Sequence, residues 1–326
     1  MRTYSKNLVS WVTGRTLGLE LPDRGAATVV LEDRDALEWL VEERIAGPGS
    51  IVYIPGSEAP SIPGLTAVPY QGSLVEPGAE ARLGEDSYLQ IQAYSVVSFL
   101  MFLGPTVVRI TDAEDFEAFI SDADAALQQG VWSETLTIPG VHLADISALG
   151  GHTPDDGAGL RLYVGQDGEI RVSPLGSAVG SAGETWTDPE GGSPSYDRLP
   201  VSLGAEAGIP ARPWLGRYHS ALQAVQSLRA RGHTDLRVSG FGFRFDDESP
   251  ANGEGADMHQ ALAPILLESG DDCFLYNPKD ARTFKAPLHA ARTLERALVQ
   301  QHSDTAEDST ARELLSRLAP DVWRTS

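Results

Sequence analysis

The apolar positions of this chain fall into short bursts whose spacing alternates between strand-like and helix-like. Thr28-Val29-Val30-Leu31 is a β-branched run and reads as a strand. After Glu32-Asp33-Arg34-Asp35, the residues Leu37, Leu40, Val41 and Ile45 recur on one helical face, and Gly47-Pro48-Gly49 stops the helix. Ile51-Val52-Tyr53-Ile54 is the next strand. Strand, helix and strand within roughly 30 residues predict a βαβ unit with a right-handed crossover between parallel strands. The same logic returns later. Residues 106–110 form a strand, and Thr111 or Asp112 caps a helix with Glu114 and Asp115 in its first turn. Phe116, Phe119, Ile120, Ala123, Ala126 and Leu127 line the core face of that helix, and Gly130 ends it. Residues 65–70 and 88–94 read as extended, and residues 11–15 as a short strand and turn.

Beyond Trp132 the pattern shortens. Residues 160–164 and 169–172 flank Gly165-Gln166-Asp167-Gly168 and predict a β-hairpin. Residues 176–200 are rich in Gly, Ser and Pro and read as a mobile loop or linker. Leu222, Val225, Leu228 and Ala230 mark a helix with Ser220 as its cap and Gly232 at its end, followed by a strand over 236–245. An acidic loop over 246–255 precedes the last module. In it, apolar runs at 265–268, 273–276 and 283–285 are separated by Ser269-Gly270-Asp271-Asp272 and Asn277-Pro278-Lys279-Asp280. Pro287 opens a helix lined by Leu288, Ala291, Leu294 and Leu298. A second helix carries Ala311, Leu314, Leu315 and Leu318, and Pro320 stops it. The expected fold is mixed α/β and α+β. It comprises an α/β domain with βαβ units over 1–135, a β-rich α+β region over 136–250 and a small winged-helix-like module over 251–326.

Composition narrows the function classes. The chain has 326 residues, 41% hydrophobic and 22% charged, enough for a real core in more than one domain. A formal net charge of −21 argues against nucleic acid as a partner, because binding to phosphates needs a basic surface. The longest apolar stretch, residues 96–103, is far shorter than the ~20 residues of a membrane span and reads as a buried strand or core helix. The opening residues lack the apolar segment of a signal peptide. Cys273 is the only cysteine, so neither an internal disulfide nor a cysteine-based zinc site can form, which suits a cytoplasmic protein.

Candidate chemistry is sparse. No glycine-rich loop follows either strand of the α/β region, and the acidic turns there repel phosphate. Gly180-Ser181-Ala182-Gly183 is not a nucleophile elbow, and Cys273 reads as an inert core thiol. No cofactor is expected. His142, Asp145 and His152 come closest to a ligand cluster, and the alternative they support is a metal-dependent hydrolase or transferase. A second alternative is a structural subunit of an enzyme complex.

The segment 265–318 resembles the small winged-helix recognition domain of ribosomal peptide natural product (RiPP) biosynthesis, whose type member is the peptide chaperone of pyrroloquinoline quinone biosynthesis. Phe274-Leu275-Tyr276-Asn277-Pro278 and the helix over 288–298 match its layout. It departs in one respect, since only Asp321 to Ser326 follow Pro320 and a full third helix has no room. The whole chain is similar to the larger recognition proteins of daptide-type clusters. The resemblance implies a non-catalytic scaffold that binds a precursor's leader peptide as an added strand. It places the peptide at Thr283, Phe284 and Lys285, with Leu288 and Tyr276 beside them. It also implies modifying enzymes as partners, among them an oxidative decarboxylase and an aminotransferase.

Overall fold

A computed structural model of the chain describes residues 3–14, 26–83, 87–97, 104–151, 161–186, 208–250 and 253–300. The fold is mixed α/β. The described residues fall into two compact units, one drawn from 1–116, 140–149 and 153–206, the other from 117–139, 150–152 and 207–326.

The elements of the first unit are α1 (Thr3–Thr13), β1 (Thr28–Leu31), α2 (Ala36–Glu42), β2 (Ile51–Pro55), β3 (Thr66–Gly72), β4 (Glu80–Leu83), β5 (Ser87–Ala93), α3 (Tyr94–Val97), β6 (Thr106–Arg109) and the start of α4 (Ala113–Gln129). They continue with β7 (Val141–Leu143), β8 (Arg161–Val164), β9 (Glu169–Arg171) and β10 (Ala178–Ser181). The strands form one ten-stranded sheet in the order β10-β9-β8-β1-β2-β3-β4-β5-β6-β7. β1 lies parallel to β2, as the βαβ reading requires, and its other neighbour is the parallel β8. Adjacent residues of β1 face opposite ways. Val30 joins Tyr53, Tyr70, Ile91 and Val107 against Leu8, Trp11 and Val12 of α1. Val29 and Leu31 join Val52 and Ile54 against Leu37 and Leu40 of α2. A strand covered on both faces has no polar alternation, which explains the unbroken run.

The start of α4 confirms its cap. The Asp112 carboxylate accepts the Asp115 N–H at 2.9 Å. Asp115 in turn accepts the N–H groups of Thr111 (2.8 Å) and Ser95 (2.7 Å). Burial alone would raise the Asp115 carboxyl; the hydrogen bonds from Ser95 and Thr111 outweigh it and hold the group below its ordinary value.

Several expectations change. Residues 11–13 end α1 and are not a strand; the Trp11 indole N–H is buried and donates to the Leu162 carbonyl at 2.9 Å. Val41 lies within α2 but is exposed, and Ile45 reaches the core from beyond the helix, which stops at Glu42. Within the stretch read as mobile, 178–181 is β10, paired with β9.

The second unit holds the later turns of α4, then α5 (Leu215–Arg229), β11 (Arg237–Ser239), β12 (Gly242–Phe243), β13 (Ile265–Ser269), β14 (Asp272–Asn277), β15 (Arg282–Ala286) and α6 (Leu288–Gln300). Its sheet runs β12-β11-β13-β14-β15, with β13, β14 and β15 an antiparallel meander. The three strands expected to begin a separate module thus share a sheet with β11 and β12. The single strand expected over 236–245 is broken, because Gly240 (φ +89°) and Gly242 (φ +66°) turn the backbone. Helix α5 starts at Leu215, so Ser220 lies buried in its middle and is not its cap. Leu266, Cys273 and Leu275 pack with Phe245 against Ala291, Leu294 and Leu298 of α6. The helix expected over 311–318 lies outside the described residues.

Candidate functional site

Among the described residues four strands end the two sheets, and three of them are blunted. β12 is two residues long, and a Cβ on Gly242 would lie 2.2 Å from the Gly130 nitrogen, so the end of α4 covers it. β7 is three residues long, with α1 against it. β10 shifts register against β9 between Ala178 and Gly180. Short, bulged or covered ends are the usual defences of a sheet edge. Among the described residues β15 has none of these three, although it carries the charged Arg282 and Lys285. Its five residues pair one to one with β14, from Asn277↔Arg282 to Cys273↔Ala286, and no described strand pairs on its outer side.

The side chains of β15 follow from that register. Leu266, Leu275 and Phe284 form one cross-strand row on the face that packs against α6. The first two are buried, whereas Phe284 is 40% exposed. Leu288 opens α6 four residues later and is 45% exposed, although the sequence pattern had placed it among the core residues of that helix. On the opposite face Lys285 pairs with Asp272 at 2.6 Å, and the buried Thr283 hydroxyl has no hydrogen-bond partner. Tyr276 stands opposite Thr283 on β14 and is buried, so it supports the edge from within and offers no surface.

A buried carboxylate fixes α6. Glu295 is 1% exposed and accepts the N–H groups of Phe245 (3.1 Å) and Asp246 (2.8 Å) together with the hydroxyls of Ser239 and Ser249. Arg292 donates to the Phe245 carbonyl at 3.1 Å, and Arg296 pairs with Asp246 at 2.6 Å. Both fasten the same loop to the same helix. Beneath it, Arg244 makes a two-pronged contact with Asp257 at 2.9 and 3.2 Å. Arg217 is fully buried and donates to the Ala263 and Pro264 carbonyls; burial lowers its pKa to about 10. These residues were not singled out from the sequence. The available signal was Glu295 itself, the only acid in α6, lying beside Leu294 and four residues from Ala291 on the apolar stripe.

The alternative centre around His142 has a different character. Asp145 is buried, and each of its oxygens meets a guanidinium, Arg161 at 3.0 Å and Arg109 at 3.2 Å. Two cations beside one carboxylate work against a third. His142 is half-buried on β7, and burial lowers its pKa. His152 lies outside the described residues. No group of three His, Cys, Asp or Glu side chains among the described residues is placed to hold a metal ion. Cys273 is free and buried; burial, then Glu268 and Asp272, push its thiol pKa upward. No helix among the described residues is long and apolar enough to cross a membrane. Compared with known proteins, the chain matches no family model, no curated protein and no solved structure.

Proposed function

We propose that this chain is a non-catalytic recognition and scaffold protein of ribosomal peptide biosynthesis, of the daptide-like kind. It takes the leader segment of a precursor peptide as an added strand on β15. It then presents the peptide to modifying enzymes, such as an oxidative decarboxylase and an aminotransferase. The observation that carries this reading is the contrast among sheet ends, in which β15 alone is long, regular and unpaired on its outer side among the described residues. An edge strand offers N–H and C=O groups that an extended peptide satisfies, and side chains beside the edge supply selectivity. Phe284 and Leu288 are the apolar contacts in reach, and Glu295 keeps α6 in place beside them.

The test is a titration of the full-length chain with the precursor peptides encoded beside its gene. Binding near 1 μM, or about −8 kcal/mol, is expected, and Phe284→Asp weakens it about thirtyfold. Absence of binding to every such precursor refutes the proposal.

A further inference from the structure

We infer that the strand received at β15 is acidic, with an apolar residue held between acidic ones; this deepens the peptide-recognition reading and rests on it. The chain carries 46 acidic and 25 basic side chains, yet both charged residues of β15, Arg282 and Lys285, are basic. Their side chains are 74% and 64% exposed. Their present partners, Asp280 at 3.6 Å and Asp272 at 2.6 Å, are themselves more than a third exposed. Ion pairs as open to water as these contribute little and exchange readily for a carboxylate on an incoming strand.

The register converts this into a pattern. Residues directly opposite across two strands share a face and interact. The row Leu266–Leu275–Phe284 extends with an apolar residue on the new strand. The neighbour of that residue falls opposite Lys285, and a position two further along, on the apolar residue's own face, falls opposite Arg282. An antiparallel peptide therefore reads acidic, apolar, any, acidic, and a parallel one reads the reverse. A second copy of β15 paired antiparallel in the register that extends this row sets Phe284 opposite Phe284, Arg282 opposite Ala286 and Lys285 opposite Thr283, and so supplies neither cation with a carboxylate.

The experiment uses the full-length protein and three short labelled peptides of equal length, followed by fluorescence anisotropy. Their central residues are Glu-Leu-Thr-Glu, Lys-Leu-Thr-Lys and Glu-Asn-Thr-Glu. The first is expected to bind about tenfold tighter than either of the others, the scale of two exposed charge pairs or one small apolar contact. The double variant Arg282→Glu/Lys285→Glu, its fold checked by circular dichroism, is expected to prefer the lysine peptide. Equal binding of the glutamate and lysine peptides, or an unchanged preference in the double variant, overturns the charge assignment and leaves strand addition standing. Binding of none of the three overturns both. A dimer of the chain that Phe284→Asp dissolves overturns the assignment in favour of self-pairing.

Discussion

β10 and β15 each close one end of a sheet through an antiparallel ladder, but they treat that end differently. β10 slips register, sets the side-chain-free Gly180 in its middle and turns Val179 toward the core where Trp186 packs. β15 keeps a one-to-one register over all five residues and leaves Phe284 part-exposed on its core face. Strand content does not separate the two; regularity of the ladder and the use of the central apolar residue do. An edge that spends its hydrophobe inward contributes to stability, and an edge that leaves it outward is available to a partner.

The comparison breaks most severely at Glu295. Glu295→Ala strands two backbone N–H groups and the Ser239 hydroxyl in a buried site, and should cost about 2–4 kcal/mol in urea unfolding. Peptide affinity falls with it, because α6 loses its anchor. Glu295→Gln keeps one accepting oxygen but turns an NH2 group toward the second backbone N–H, and should cost less than Glu295→Ala. Next, Phe284→Asp should weaken peptide binding by about 2 kcal/mol while changing stability by about 1 kcal/mol or less, as expected for a contact residue that is 40% exposed without its partner. The opposite outcome is expected at the other edge. Val179→Asp should cost about 1–2 kcal/mol in stability and leave peptide affinity unaltered.

The smallest effect concerns the unit that contains β10. Asp115 titrates below its ordinary value in the folded chain. Its contribution to stability is therefore complete above the unfolded value and fades as pH falls through the folded one. Stability measured against pH should decline on acidification below about pH 4, the ordinary aspartate value. The decline should be shallower in Asp115→Asn.

How much of this was legible in the sequence depends on the range of the interactions. The meander β13-β14-β15 was readable because two polar turns separate three apolar bursts and every strand pairs with its sequence neighbour. The same holds for β1, α2 and β2. The pairing of β1 with β8 was not readable, since a parallel ladder between distant segments leaves no mark in either. The clamp of Arg109 and Arg161 on Asp145 was hidden for the same reason. Helix α5 was misplaced because it is buried on nearly every side, including Arg217, His219 and Ser220, and so carries no amphipathic period to reveal where it starts. At the candidate site, Phe284 and Lys285 were named from a resemblance, but their faces and the anchoring role of Glu295 required the register and the fold.

Amide hydrogen exchange on the full-length chain, with and without a bound precursor peptide, tests the central claim most directly. Strand addition at β15 predicts new protection concentrated in residues 282–286, with β10 unchanged. Protection that appears elsewhere while residues 282–286 exchange as before would contradict it.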